Sequence, residues 1–556
     1  MKIAIYERLQ FEHVYPNEEF KEPLHYLKEI PFNQLLTFIG FSNTVPQPKY
    51  YEFFSNPQIK QEVLNRVRTY CIETGTDKQP ELIEPASSLR LAEIILSSQT
   101  YFKENESKLT TDELELNIFK AYLAVNSQMN KHADDVQKTF PEEASRLDIV
   151  FDVLVSAAFH SSDIGWSVPH HGGFFKLLYA TLLKVRFLFD FLDERGLASL
   201  GDHIIATHNQ ESRESFLRET QRLFSVLVKL KLNNTFKFSS DDVRQSALLD
   251  SFVVRSLEVS DDFTTLKINP VIELEKNVYT IINFYYVLDK FYRSLMFSMK
   301  SFYENKIDED FFSFFSLEFS ERTMGKRVLD KIFHQKWLIK SSGQDYDNAP
   351  DYYVRERNKV FLFEIKDVRI PAGVKASFNP DTIKAELTKK LVRNQRGKAK
   401  GVLQLANNII NLIEGKITED AGFQFRRSMK IFPVLIICDR TLEVPGINYF
   451  LNLQFREGIQ EKVKDKFILK SIQDLIVIDI DTLLYNSDSY SENIHIFYSD
   501  IVDYGKKQRA PIKGIAYKQE EIISMKLQPF SHSYNHKPNI RSSGKELFAE
   551  LLTKEV

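Results

Sequence analysis

Two carboxylates and a lysine stand within one short stretch of this 556-residue chain: Asp351, then Glu364 and Lys366. Asp351 opens a run of strand-forming residues, Asn358 and Lys359 supply a polar turn, and Val360 to Val368 forms a second, largely apolar run. The pattern predicts a β-hairpin. Side chains alternate across a strand, so Glu364 and Lys366 share one face while Phe361, Phe363 and Ile365 share the other. Charge on a buried strand is costly. Across the hairpin Asp351 comes within reach of Glu364, and two like charges at that distance are tolerable beside a cation. The competing reading is an edge hairpin with a surface Glu-Lys pair, which would contribute little.

Pro350-Asp351 followed by Glu364-Ile365-Lys366 resembles the signature of the restriction-endonuclease-like PD-(D/E)XK superfamily of metal-dependent nucleases: Pro-Asp, a variable spacer, then an acid, any residue and a lysine. Flanking segments extend the resemblance over about residues 315–480. A candidate helix, Glu318 to Phe333, places Glu321 where the family carries an additional carboxylate, with Glu318 competing for that role. A second helix opens at Lys400-Gly401. In it Val402, Leu405, Ile409 and Leu412 form an apolar stripe, and Lys400, Gln404 and Asn408 fall four apart on another face. Ile431 to Cys438 reads as a buried strand. The resemblance therefore implies an α/β core of order αβββαβ within a chain that is α+β as a whole.

Phosphodiester hydrolysis requires charge stabilisation at the transferring phosphoryl group and a water held in line with the leaving oxygen. Mg²⁺ prefers hard oxygen ligands, and Mn²⁺ can substitute for it. Asp351, Glu364 and the Ile365 carbonyl are the ligands implied, and Lys366 would orient or deprotonate the nucleophile. Gln404 and Lys400 would hold a phosphate or the water, and Glu321 a second cation. For Glu321 the plain alternative is a first-turn acid favoured by the helix dipole; for Lys400 and Gln404 it is a solvated helix face.

The net charge of the chain is -3, so no overall basicity advertises a polyanion partner. Locally the balance changes. Arg369, Lys375, Lys384, Lys389, Lys390, Arg393, Arg396, Lys398 and Lys400 come after the hairpin, opposed by Asp367, Asp381 and Glu386. Such a strip suits a phosphate backbone, although a solubilising helix face is the commoner origin of charge runs. DNA is the first choice of substrate and RNA the second, and by resemblance the role would be restriction or antiviral defence. A homo-oligomer and a separate ATPase or sensor protein are conceivable partners; Ser542-Ser543-Gly544-Lys545-Glu546 lacks the glycine spacing and the following hydroxyl of a phosphate-cradling loop. Two readings from other classes stay open: a catalytically silent nucleic-acid binder, and a sensor whose helical half does the work.

Weaker candidates are His170 and His171 in a Gly-rich loop after His160, without a third ligand at metal spacing, and Asp479-Ile480-Asp481 at a strand end. Two cysteines, Cys71 and Cys438, build neither a disulfide framework nor a zinc site, which points to a reducing cytoplasm. The N-terminus lacks a signal-peptide pattern, and the most apolar helix is interrupted by Lys176, Lys184, Arg186 and Asp190, so no membrane partner is expected.

Around these residues the expected organisation is a mainly helical recognition or regulatory region over 1–250, short strands and a connecting helix over 251–310, the nuclease domain over 311–500 and an extension over 501–556. Helical periodicity covers Pro31 to Tyr70, Ser88 to Asn105, Thr111 to Asn130, Ala144 to Phe159, Phe174 to Arg195 and Glu214 to Lys231. Strands are expected over Phe263 to Leu274, Asn277 to Ile282 and Phe467 to Ile480, with an aromatic-rich helix over Phe284 to Phe302.

Overall fold

Capping side chains set where the early helices begin. Asn56 accepts the Gln58 amide ahead of Pro57–Thr74, Ser212 accepts the Ser215 amide ahead of Arg213–Asn233, and Gly75, at φ +65°, ends the first of these. The computed structural model describes residues 8–43, 49–75, 80–102, 109–134, 146–160, 162–164, 171–305, 310–342, 349–417, 420, 422–511 and 522–534. These belong to two compact units, one drawn from Met1–Phe140 and Gly201–Met296, the other from Pro141–Leu200 and Phe297–Lys554.

The first unit packs helices, among them Pro85–Ser97 and Thr111–Asp134, with a three-stranded antiparallel sheet in which β3 (Val278–Ile281) lies between β1 (Lys237–Ser239) and β2 (Val271–Glu275). Buried polar side chains tie distant segments of this unit together. The Asn126 amide donates to the carbonyls of Leu9 and Leu82 at 2.8 and 2.9 Å.

The second unit is built on a five-stranded sheet. β4 (Ile339–Ser341), β5 (Tyr352–Glu356) and β6 (Lys359–Lys366) form an antiparallel meander, after which β7 (Lys430–Ile437) and β8 (Ile476–Asp479) join parallel to β6. The helices of this unit include α1 (Arg146–His160), α2 (His171–Glu194), α3, α4 (Gly401–Ile413), α5 (Ile480–Glu492) and α6 (Ile494–Arg509). α3 runs without a break through Phe311–Phe314, Phe315–Gly325 and Lys326–Ile332, its middle segment wound as a π-helix. Residues Val360 to Ile365 of β6 are all buried because helices cover both faces of the strand. On one face Phe333 of the α3 terminus and Phe497 of α6 pack around Phe361 and Phe363; α4 covers the other.

The partition expected at residues 250 and 310 is not the one observed. The described residues between 146 and 200, assigned on sequence to the N-terminal region, pack in the second unit, where Lys176 of α2 reaches Glu443 and Asp479. Two strand expectations also require correction. Thr264–Ile268 is helical, with the Ser260 hydroxyl accepting the Thr264 amide, and the strand starts only at Val271. Lys466–Ser471 is helical because Asp465 accepts the amides of Phe467 and Ile468, leaving Ile476–Asp479 as the strand. At Asp465 a side-chain cap outweighs strand propensity, and before Thr264 the bend at Phe263, at φ +58°, together with the Ser260 hydroxyl does so.

Candidate active site

The hairpin turn falls at Arg357 and Asn358, one residue earlier than expected, because Glu356 pairs with Lys359 and Arg357 adopts φ +53°. Tyr352 pairs with Phe363, so Asp351, one residue before β5, stands opposite Glu364. Asp351 Oδ2 accepts the Ile365 amide at 2.7 Å, which pins its carboxylate over the end of β6. Lys366 Nζ lies 3.2 Å from Glu364 Oε2, 3.5 Å from Asp351 Oδ2 and 3.7 Å from Glu321 Oε1. One ammonium is therefore shared among three carboxylates drawn from a strand, a strand approach and a helix.

Two glycines allow the helices to close on this point. A Cβ at Gly325 of α3 would lie 2.4 Å from Ile365 Cδ1, and one at Gly401 of α4 would lie 3.3 Å from Lys366 Cγ. The π-helical winding separates the two acids that competed on sequence. Glu318 pairs with Arg195 and Arg322, whereas Glu321 turns to Lys366. From α4, Asn408 Nδ2 donates to Glu364 Oε1 at 2.8 Å, a contact not assigned from sequence although its spacing from Gln404 was visible. Gln404 Oε1 and Glu364 Oε2 are buried without a well-directed hydrogen-bond donor, and the latter lies 3.2 Å from the Lys366 ammonium.

Electrostatics follow from burial. Glu364, 1% exposed, is held well above the usual carboxylate range first by desolvation and then by Asp351. Desolvation pushes Glu321 up to about 7 against the pull of Lys366, with Asp351 and Asp367 adding to the rise. Burial opposes the charge on Lys366, yet Glu364, Asp351 and Glu321 together raise its pKa. Lys366 is thus held as an ammonium, which suits orientation and charge stabilisation rather than proton abstraction. Asp351, with 26% of its side chain exposed, is the most open of the four.

Among the described residues, no three His, Cys, Asp or Glu side chains converge to hold a metal ion. Asp351 with Glu364 fits a dication that keeps most of its waters: both offer hard oxygens, and Glu364 Oε2 lacks a well-directed donor. Ile365 contributes its amide to Asp351 and its side chain to the contact with Gly325.

The basic strip divides in two. Lys375 pairs with Asp163 at 2.5 Å and Lys384 with Asp152 of α1 at 2.7 Å, Lys389 and Lys390 close on Glu386, and Arg369 lies over the Phe312 ring at 4.1 Å. Lys375 and Lys384 thereby tie distant segments together, whereas Lys389 and Lys390 make local surface pairs. Arg393, Arg396, Lys398 and Lys400 are exposed. Asp479 and Asp481 are buried and paired with Lys176 and Lys184, so the strand-end acids serve packing. His160 rests against Phe378, and residues 167–170 and 542–546 lie outside the described residues. No helix among the described residues is long and apolar enough to cross a membrane.

The sequence matches no protein-family model, and no curated protein or solved structure is significantly similar to it.

Proposed function

We propose that the second unit is a Mg²⁺-dependent endonuclease of the restriction-endonuclease-like class, acting on nucleic acid, DNA before RNA. The observation that carries this reading is the convergence of Asp351, Glu364 and Lys366 at the carboxyl end of β6, with a buried carboxylate oxygen left without a well-directed donor. The order of α3, three antiparallel strands, α4 and a parallel strand supports it, with the helical segments Ala372–Lys375, Pro380–Leu387 and Thr388–Val392 interposed before α4, as does the site's place at the carboxyl ends of parallel strands.

Asp351 and Glu364 would hold the dication, which when bound supplies charge stabilisation to a phosphoryl oxygen. Asn408 fixes the Glu364 carboxylate so that its other oxygen faces the site. Gln404 Oε1 is available to accept a hydrogen bond from the attacking water, and the Lys366 ammonium neutralises charge on the phosphate. Glu321 tunes Lys366 from α3.

The test is calorimetric titration with Mg²⁺ and Mn²⁺ alongside cleavage of labelled DNA and RNA. Uptake and cleavage are expected in the unmodified chain, and both should disappear in Asp351→Asn and Glu364→Gln. A chain that binds nucleic acid but takes up neither ion would instead be a catalytically silent binder. That second reading has its own support, because Lys366 already neutralises the acids that a metal would occupy.

A further inference from the structure

Four cations on one short loop have no use inside the fold. Arg393, Arg396, Lys398 and Lys400 are exposed and, among the described residues, enter no ion pair, whereas their neighbours Lys375, Lys384, Lys389 and Lys390 each close on an acid. The loop is not slack. Arg393 and Ala399 form an antiparallel bridge, the Lys400 amide donates to the Val392 carbonyl at 2.8 Å, and the Asn394 amide donates to the Lys398 carbonyl at 2.9 Å. Asn394 Oδ1 accepts the amides of Arg396 and Lys398 at 3.0 and 2.9 Å, and Gly397 takes the turn at φ +77°. A held backbone thus presents the four side chains to solvent, so that binding has side chains to order but no loop.

Its position is equally specific. Lys400 immediately precedes Gly401, whose Cβ position lies 3.3 Å from Lys366 Cγ, so the loop ends against the aliphatic stem of Lys366. Its residues, Arg393-Asn394-Gln395-Arg396-Gly397-Lys398-Ala399-Lys400, include no aromatic side chain. Proteins that hold single strands combine a basic groove with aromatic platforms for unstacked bases; this loop has the charge without the platform.

We propose that the 393–400 loop is a clamp for the backbone of a nucleic-acid duplex, gripping phosphates without reading bases and delivering the strand to Lys366. The proposal rests on the nuclease reading of the adjoining carboxylates. Each phosphate neutralised releases counterions, so the loop's contribution is visible in the salt dependence of binding.

The test uses the full chain without divalent ions, with fluorescence anisotropy of a labelled duplex and of its single strand across a potassium chloride series. The variant R393Q/R396Q/K398Q/K400Q is compared with the unmodified chain and with K416Q/K506Q, two exposed lysines elsewhere in the unit. For the loop variant the slope of log affinity against log salt should become shallower by roughly three to four, equally for unrelated duplex sequences, while the control keeps the original slope. An unchanged slope in the loop variant overturns the clamp, even if Asp351 and Glu364 still take up Mg²⁺. So does loop-dependent binding that favours the single strand, or that is seen only with phosphatidylserine vesicles. Loop-dependent duplex binding in a chain that never cuts leaves the clamp standing and removes the catalytic reading alone.

Discussion

Cleavage by Lys366→Met is expected to fall by about a thousandfold or more, while duplex affinity measured without divalent ions stays within about twofold of the unmodified chain. The side chain lies within 3.7 Å of Glu321, Asp351 and Glu364, so its loss also leaves three acids at the end of β6 without their shared counter-ion. Removing one partner from a buried ionic group costs about 3 kcal/mol, and here the cost should depend on pH. Glu321 titrates near 7 in the fold against an ordinary value of 4.5. Its contribution to stability is therefore fully present below about 4.5 and is lost as pH rises through about 7. Urea titrations of the metal-free variant should accordingly show a larger deficit at pH 8 than at pH 5, with Mg²⁺ reducing it at pH 8. Persistent cleavage, or a deficit independent of pH, would contradict the role given to this lysine.

The hairpin was legible because alternation is a local property, but its register was not: a turn at Asn358 and Lys359 would have set Asp351 opposite Lys366, and it is the positive φ of Arg357 that moves the turn one residue back and sets Asp351 opposite Glu364. Glu318 and Glu321 could not be separated in the same way. They lie three apart, and with the segment wound as a π-helix one pairs with Arg195 and the other with Lys366. The place of Lys375 in the basic strip could not be read for a different reason. Lys375 and Asp163 are 212 residues apart in the chain, so the partner that removes this cation from any binding surface is invisible to a reading of neighbours. The same holds for the placement of α2, which depends on Lys176 meeting acids from beyond residue 440.

Lys176→Met should lower the unfolding free energy by about 3–5 kcal/mol at pH 8, the largest stability effect expected in the second unit. The ammonium is 1% exposed, 3.1 Å from Glu443 Oε1, 3.4 Å from Asp479 Oδ1 and 3.2 Å from Thr482 Oγ1. Without it, Glu443 and Asp479 face each other in a desolvated space. Burial, then Asp479, already push Glu443 up to about 8, so its share of stability is held below about 4.5 and lost as pH rises through about 8. The deficit of the variant should shrink in acid for that reason. Adding Glu443→Gln to Lys176→Met should recover a substantial part of the loss, because an amide tolerates burial beside the remaining acid better than a second carboxylate does. Denaturation curves of both variants decide the point; no recovery in the double variant would mean that Lys176 acts through packing alone.

The alternation of segments along the chain, Met1–Phe140 and Gly201–Met296 in one unit, Pro141–Leu200 and Phe297–Lys554 in the other, has a consequence for synthesis on the ribosome. The stretch bearing α1 and α2 emerges long before β6, β7 and β8 exist to receive it, so Lys176 and Lys184 must wait for acids translated some three hundred residues later. A nascent chain therefore cannot finish its second unit early, and a single protease cut between the two units releases neither one whole.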